Sequence, residues 1–112
     1  MSEPAAKDRN LSLELVRVTE AAALAAWRHL GSGDPLQADM AAISAAHELL
    51  GSLAINGTIC VGEGREGEAD KFFVNENGGT GSGPDVDVAM VALEGASIVA
   101  RGGPNATSTA AM

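Results

Sequence analysis

Tyrosine is absent from this chain, which has only two phenylalanines and one tryptophan. Large aromatics normally supply much of a domain's buried area, so this core has to be built from aliphatic groups. Cysteine is almost missing as well. Cys60 stands alone and closes no internal disulfide, which excludes a stapled scaffold and points to a reducing, cytoplasmic setting. Basic residues number seven against 15 acidic ones, for a formal net charge of −8, and they lie scattered at 7, 9, 17, 28, 65, 71 and 101. Without a basic cluster or interleaved aromatics, neither nucleic acid nor an anionic membrane surface is an expected partner. The apolar runs fall far short of the ~20 residues that span a bilayer. The start Met1-Ser2-Glu3-Pro4 also lacks the apolar core of a secretion signal.

What the chain has in quantity is alanine and glycine, 21 and 14 of its 112 residues. Leu, Ile, Val and Phe together number 24, little above the composition at which chains stop folding alone. That thin apolar supply leads to the expectation of an oligomer or of a larger partner.

Residues 1–9 are polar and are expected to be disordered, leaving 10–112 as one domain. From Leu11 to Leu30 two apolar stripes run side by side, the pattern of a helix of about 20 residues, capped by Asp8 or Asn10 and stopped by Gly31. Asp34-Pro35-Leu36-Gln37 reads as the start of a second helix, with Asp at the N-cap, Pro at the first helical position and Gln as in a capping box. Leu36, Met40, Ile43, His47 and Leu50 form its stripe, ending at Gly51.

The second half changes character, with 12 of the 14 glycines between 51 and 103. Asn56-Gly57 reads as a turn, and Thr58–Val61, Lys71–Val74 and Val86–Leu93 as strands, the last apolar on both faces. The segment from Gly78 to Pro84 reads as a flexible loop, Ser97–Arg101 as a short helix and 105–112 as a small, polar tail. Helices first and strands later give an α+β layered unit, two helices and then a short, mainly antiparallel sheet, rather than a doubly wound fold.

Gly62-Glu63-Gly64-Arg65-Glu66-Gly67 matches G-x-G-x-x-G after a strand, but three residues separate it from the next predicted strand. No helix fits there to receive a pyrophosphate, and carboxylates at 63, 66, 68 and 70 repel one. Asp39, Glu63 and Glu94 are more suggestive. Glu63 and Glu94 each follow a strand beside a glycine, and Asp39 lies in the first turns of the second helix, placements that suit Mg²⁺ or Mn²⁺. Acidic residues also cap helices and fill turns in any soluble protein, so both readings stand. His29, His47 and Trp27 fit packing or capping roles, and Ser44, Ser97 and Cys60 have no triad partners in view.

The string from Leu13-Glu14-Leu15-Val16-Arg17-Val18-Thr19-Glu20 through Ala26 is followed by Gly31-x-Gly33-Asp34 and Ala38-Asp39. It continues through Ile55-x-Gly57-Thr58-Ile59-x-Val61-Gly62-Glu63-Gly64 and Gly79-Thr80-Gly81-x-Gly83 to Val86-Asp87-Val88-Ala89, Leu93-Glu94-Gly95 and Asn105-Ala106. This order resembles the N-terminal part of class II (GlpX-type) fructose-1,6-bisphosphatases over nearly the whole chain. The resemblance implies the layered sugar-phosphatase fold shared with inositol monophosphatases. It also implies a phosphomonoester hydrolase in which carboxylate-held Mg²⁺ or Mn²⁺ activates water, with a sugar phosphate as substrate. Asp39, Glu63 and Glu94 match metal-ligand positions of that pattern.

Five site positions depart from it. Val91 stands where the family has a ligand Asp, Ala96 where a Thr hydroxyl positions water, and Pro35 where a Lys follows Gly-Asp. Arg65 and Gly67 replace acidic residues. Metal binding is therefore expected to be weak or lost. The resemblance reads as a truncated, degenerate member, a non-catalytic binding or regulatory subunit in a homo-oligomer or with a longer chain. The alternative is a sugar-bisphosphate phosphatase whose site another chain completes.

Overall fold

The computed structural model describes residues 10–112, and the disorder expected of 1–9 and the cap expected at Asp8 lie outside them. Helix α1 spans Leu11–Trp27, and Asn10 caps it by accepting the Ser12 N–H at 3.0 Å. It ends three residues before Leu30, because residues 28–31 tighten into successive turns that close on Gly31 at φ +75°. Helix α2 spans Pro35–Gly51, and Asp34 accepts the Gln37 N–H at 3.2 Å, as the capping pattern predicts. The reciprocal half of a capping box is supplied differently: the Asp34 N–H donates to Ser32 Oγ at 3.2 Å, the nearer oxygen.

The two helices lie together along alanine. Ala22 and Ala26 of α1 and Ala42 and Ala46 of α2 are all buried in one cluster with Val18, Leu50, Ile59, Phe72, Val88 and Met90. Short side chains bring helix backbones close, so alanine contributes by shape where it has little area to bury.

Strands β1 (Asn56–Val61), β2 (Asn77–Gly78), β3 (Asp85–Glu94) and β4 (Thr107–Ala111) form one sheet in the order β2-β1-β3-β4. The two outer pairings are antiparallel, as expected, while the central pair β1–β3 is parallel, so the sheet is mixed. A short helix α3 (Ala96–Ala100) follows β3, in the place the sequence indicates. The architecture is α+β, with helices against one sheet face.

Several local readings are corrected. Asn56-Gly57 opens β1 instead of turning, because Gly57 lies under Gly78, Ile55 and Val88, where no side chain fits comfortably. Strand β3 is buried on one face only: Val88, Met90 and Ala92 point to the core, whereas Asp87 and Val91 are exposed. Alanine and valine satisfy either face, so composition does not reveal which one is covered. The loop 78–84 is fastened by Thr80 N–H to Leu53 O at 2.8 Å and Gly81 N–H to Ile55 O at 3.0 Å. The tail at 107–111 pairs with β3 as β4.

Lys71–Val74 is not a strand. Residues 62–76 make an irregular excursion that turns back at Phe72, a non-glycine residue at φ +57° whose ring is fully buried. Gly62 closes the base of this excursion: a Cβ there would fall on the Phe72 carbonyl oxygen and lie 3.0 Å from Ile59 Cγ2. Gly62→Ala should therefore cost about 1–3 kcal/mol in urea unfolding, as overpacking does. Gly51→Ala, at the end of α2 with open space around it, should be neutral or slightly stabilising. Equal stability of the two variants would refute this packing account.

Candidate functional site

Two bulges shape the upper edge of the sheet. Between Ile59 and Val61 the β1–β3 register shifts by one residue at Cys60, whose Sγ reaches Val88 O at 3.4 Å. Between Val91 and Glu94 the β3–β4 register shifts as well. Bulges of this kind bend a strand and re-aim the side chains beyond the bend. After Val61, the last β1 residue in register with β3, the chain continues through Gly62 to Glu63.

Glu63 is held on both its backbone and its side chain. Its N–H donates to Phe72 O at 2.8 Å, and the Ala92 N–H, past the last β1–β3 pair, lies near enough to its carboxylate to favour the charged form. Asp39, in the first turns of α2, is close enough to act on it electrostatically. Burial pushes the Glu63 carboxyl above its ordinary value, the Asp39 charge pushes it further, and the Ala92 N–H pulls it back. Burial alone raises Asp39. The structure thus brings together two of the three carboxylates singled out in the sequence, on α2 and just after β1.

Glu94 is not part of this pair. It is exposed at the end of β3, opposite Thr107, and the described residues contain no group of three His, Cys, Asp or Glu side chains placed to hold a metal ion. Mg²⁺ asks for six oxygen donors in octahedral array. Two adjacent carboxylates supply part of that set, the kind of site in which water or a substrate phosphate completes the shell, so cation binding there would be weak. Val91 is 38% exposed on the open sheet face, across from Thr109, and contributes no oxygen. Ala96 begins α3 and contributes none either. Pro35 is the first residue of α2, and Arg65 is tied into a turn by its N–H to Glu68 Oε1 at 3.1 Å. No helix begins at 62–67, so the G-x-G-x-x-G string has no dinucleotide geometry.

A cavity of about 290 Å³ opens beside Glu63, lined by Met40, Ile43 and Ser44 of α2 and by Ala69, Asp70 and Lys71. No motif places Ser44 there, and the β-rich pattern around Lys71 puts it in a strand instead. A second group is equally silent in the sequence. His47 Nε2 lies 2.8 Å from Glu76 Oε2, and Glu76 Oε1 accepts the Phe72 N–H at 2.6 Å. The Phe72 ring meets His47 edge-on, with centroids 5.1 Å apart. His47 packs, as its place in the helix stripe predicts, but it also has an acidic partner 29 positions away, and no spacing rule links the two. Left-handed backbone costs a residue like Phe72 roughly 1–2 kcal/mol. Burial of its ring and the hydrogen bond to a carboxylate offset that cost.

Known proteins are similar to this sequence. The family described as bacterial fructose-1,6-bisphosphatase, glpX-encoded, matches residues 9–112. Over 104 residues the chain is 43% identical to fructose-1,6-bisphosphatase 1 class 2 of Escherichia coli strain K12, covering 93% of this chain and 31% of that protein. The fructose-1,6-bisphosphatase class 2 of Shigella flexneri gives the same identity and coverage. The chain therefore spans about a third of the length of these relatives.

The paired carboxylates set a pH dependence. A carboxyl raised in the folded state stabilises the fold below its unfolded value, near pH 4, and that contribution is lost as pH rises through the folded value. At pH 7 both charges therefore oppose folding. Asp39→Asn should raise stability at pH 7 by on the order of 0.5 kcal/mol after solvent screening, or about 2–4 °C in Tm. The gain should shrink toward zero below about pH 4. A Tm difference that is flat across this range, or of opposite sign, argues against the coupling.

Proposed function

Because this chain belongs to the bacterial, glpX-encoded fructose-1,6-bisphosphatase family, we propose that it is a non-catalytic binding or regulatory member of it. It keeps part of a sugar-bisphosphate phosphatase site and hydrolyses nothing appreciable by itself. The observation that carries this reading is the contrast within one sheet edge. Asp39 and Glu63 converge there, while Val91 and Ala96, at positions where the resemblance expects a ligand carboxylate and a water-positioning hydroxyl, offer no donor. Losing one oriented donor commonly lowers a rate by ~10²–10³-fold. Two losses leave binding as the use that remains, with weakened affinity for Mg²⁺ or Mn²⁺ and a sugar phosphate as the ligand class.

The partner in this reading is a longer chain of the same family. Leu13, Val16, Leu24, Trp27 and Leu30 form an exposed apolar stripe on and just after α1, a face the described residues leave uncovered. The relatives are about three times as long as the segment matched here, so a family chain has further layers with which to cover such a face. No helix among the described residues is long and apolar enough to cross a membrane.

The alternative is a phosphatase whose site another chain completes. The retention of Asp39, Glu63 and Glu94 favours it, since loss of function alone does not preserve three carboxylates.

Purified chain given fructose 1,6-bisphosphate with Mn²⁺ should release phosphate at least ~10²–10³-fold more slowly than an intact class 2 relative assayed beside it. Val91→Asp with Ala96→Thr should tighten Mn²⁺ binding by ~10-fold or more. Mixing with the relative should give a heteromer by native mass measurement, and addition of the relative without any complex would remove the partner. Turnover by the unmixed chain that disappears in Glu63→Gln would overturn the non-catalytic reading.

A further inference from the structure

Glu63 and Asp39 sit on different elements, so something has to fix the distance between them. Asp39 is carried by α2, whose cap and alanine seam hold it against the rest of the molecule. Glu63 is carried by the irregular excursion 62–76, which has no helix or long strand to stiffen it. The backbone of Glu63 rests on a single peptide partner, since its N–H donates to Phe72 O at 2.8 Å. Phe72 is in turn gripped through the preceding peptide, where the Phe72 N–H donates to Glu76 Oε1 at 2.6 Å. Glu76 uses its second oxygen on His47 Nε2, at 2.8 Å, and His47 belongs to α2, two turns beyond Asp39.

These contacts form a closed path. It starts on α2 at His47, passes through the Glu76 carboxylate and the Phe72 backbone, and ends at Glu63 facing α2 again at Asp39. Two further bonds keep the path rigid. Ile59 N–H donates to Glu76 O at 2.9 Å, and Asn75 N–H donates to Ile59 O at 2.8 Å, so the Glu76 backbone is anchored to β1. The His47 ring lies edge-on to Phe72 and limits how far the reversal can tilt. Glu76 is only 17% exposed at its side chain, and a carboxylate that little hydrated needs these donors.

We propose that Glu76 and His47 are positioning residues: through the Phe72 backbone, from its N–H to its carbonyl, they set the Glu63 carboxylate at its place opposite Asp39. This rests on the reading of Asp39 and Glu63 as the ligand-facing pair, and it adds how that pair is held. Neither Glu76 nor His47 touches a ligand in this scheme. Their effect reaches the site only through the Glu63 backbone, which makes it separable from a general role in stability.

The test measures amide hydrogen exchange on the full chain together with titration by Mn²⁺ alone. Glu76→Ala removes both acceptors, and it should speed exchange at the Glu63 amide by ~10-fold or more while Val88 and Met90, in the centre of β3, keep their protection. Mn²⁺ affinity should fall in parallel by several fold. Glu76→Gln retains an amide oxygen for the Phe72 N–H and should recover most of the protection at Glu63. His47→Ala should give a smaller rise at the same amide, since it removes only the outer support. Faster exchange spread evenly over β3 as well as Glu63 would reduce Glu76 to a general stabiliser and overturn the proposal, as would a Glu63 amide that does not respond. Failure of the unaltered chain to take Mn²⁺ counts against the ligand-facing reading alone, because the exchange pattern judges the positioning path separately.

Discussion

Phe72 has to be enclosed, because the chain offers its core so few large side chains, and enclosing it reverses the backbone in the left-handed region. That reversal sets the rest of the upper edge. Its carbonyl receives the Glu63 N–H, its own N–H goes to Glu76, and its ring leans on His47. Gly62 has no side chain because the Phe72 carbonyl occupies the space one would need. A bulky residue at positive φ is stable only where its surroundings over-determine it, and such residues gather at functional sites. Here the surroundings are the same residues that carry the candidate site.

The alanine excess has a comparable cause. Ala22, Ala26, Ala42 and Ala46 let α1 and α2 lie close together, while Val18, Leu50, Ile59, Val88 and Met90 fill the space between helices and sheet. The core is thin because its volume is small, and the seam's short side chains bring the helix backbones near each other. Close helix backbones leave less room for side-chain rearrangement, so α2 presents Asp39 from a stiff support. The cost appears at the surface, where the other side of α1 keeps Leu13, Leu24 and Trp27 exposed.

Much of this is legible in the sequence, for identifiable reasons. Both long helices can be read because capping chemistry at Asn10 and Asp34 and the apolar stripes agree with one another. The α+β order and the family resemblance can be read from motifs in a fixed order, and the resemblance singles out Asp39 and Glu63 only together with Glu94, without telling which two meet. The true conformation of Lys71–Val74 cannot, because β-propensity is overruled by the burial of one ring. Asn56-Gly57 carries a turn signal that packing under Gly78 overrides. Strand β4 lacks large apolar residues and exists through its register with β3, a long-range fact that no window of sequence holds. Glu76 and His47 stay hidden for the same reason: their partnership is made by the fold. Glu94 looks equivalent to Glu63 because both sit at strand ends beside glycine, yet Glu63 is the one that lies near Asp39, while Glu94 is exposed opposite Thr107.

The positions that depart from the family pattern and those that keep to it differ in what they do to stability. Val91 suits an open sheet face across from Thr109, where a β-branched residue pairs well, and Ala96 suits the first turn of a short helix. Both side chains are therefore compatible with the local structure that holds them. Asp39 and Glu63 are the reverse case. Burial and like charge oppose their ionisation, in a chain already carrying a net charge of −8, so folding gains nothing from keeping them. Residues that a fold retains against its own stability are where local rules yield to function. Val91 and Ala96 carry no oxygen donor on their side chains, whereas Asp39 and Glu63 offer two neighbouring carboxylates. That asymmetry is what favours the proposed binding role over turnover, and its two carboxylates lie at the edge where α2, the end of β1 and the Phe72 reversal meet.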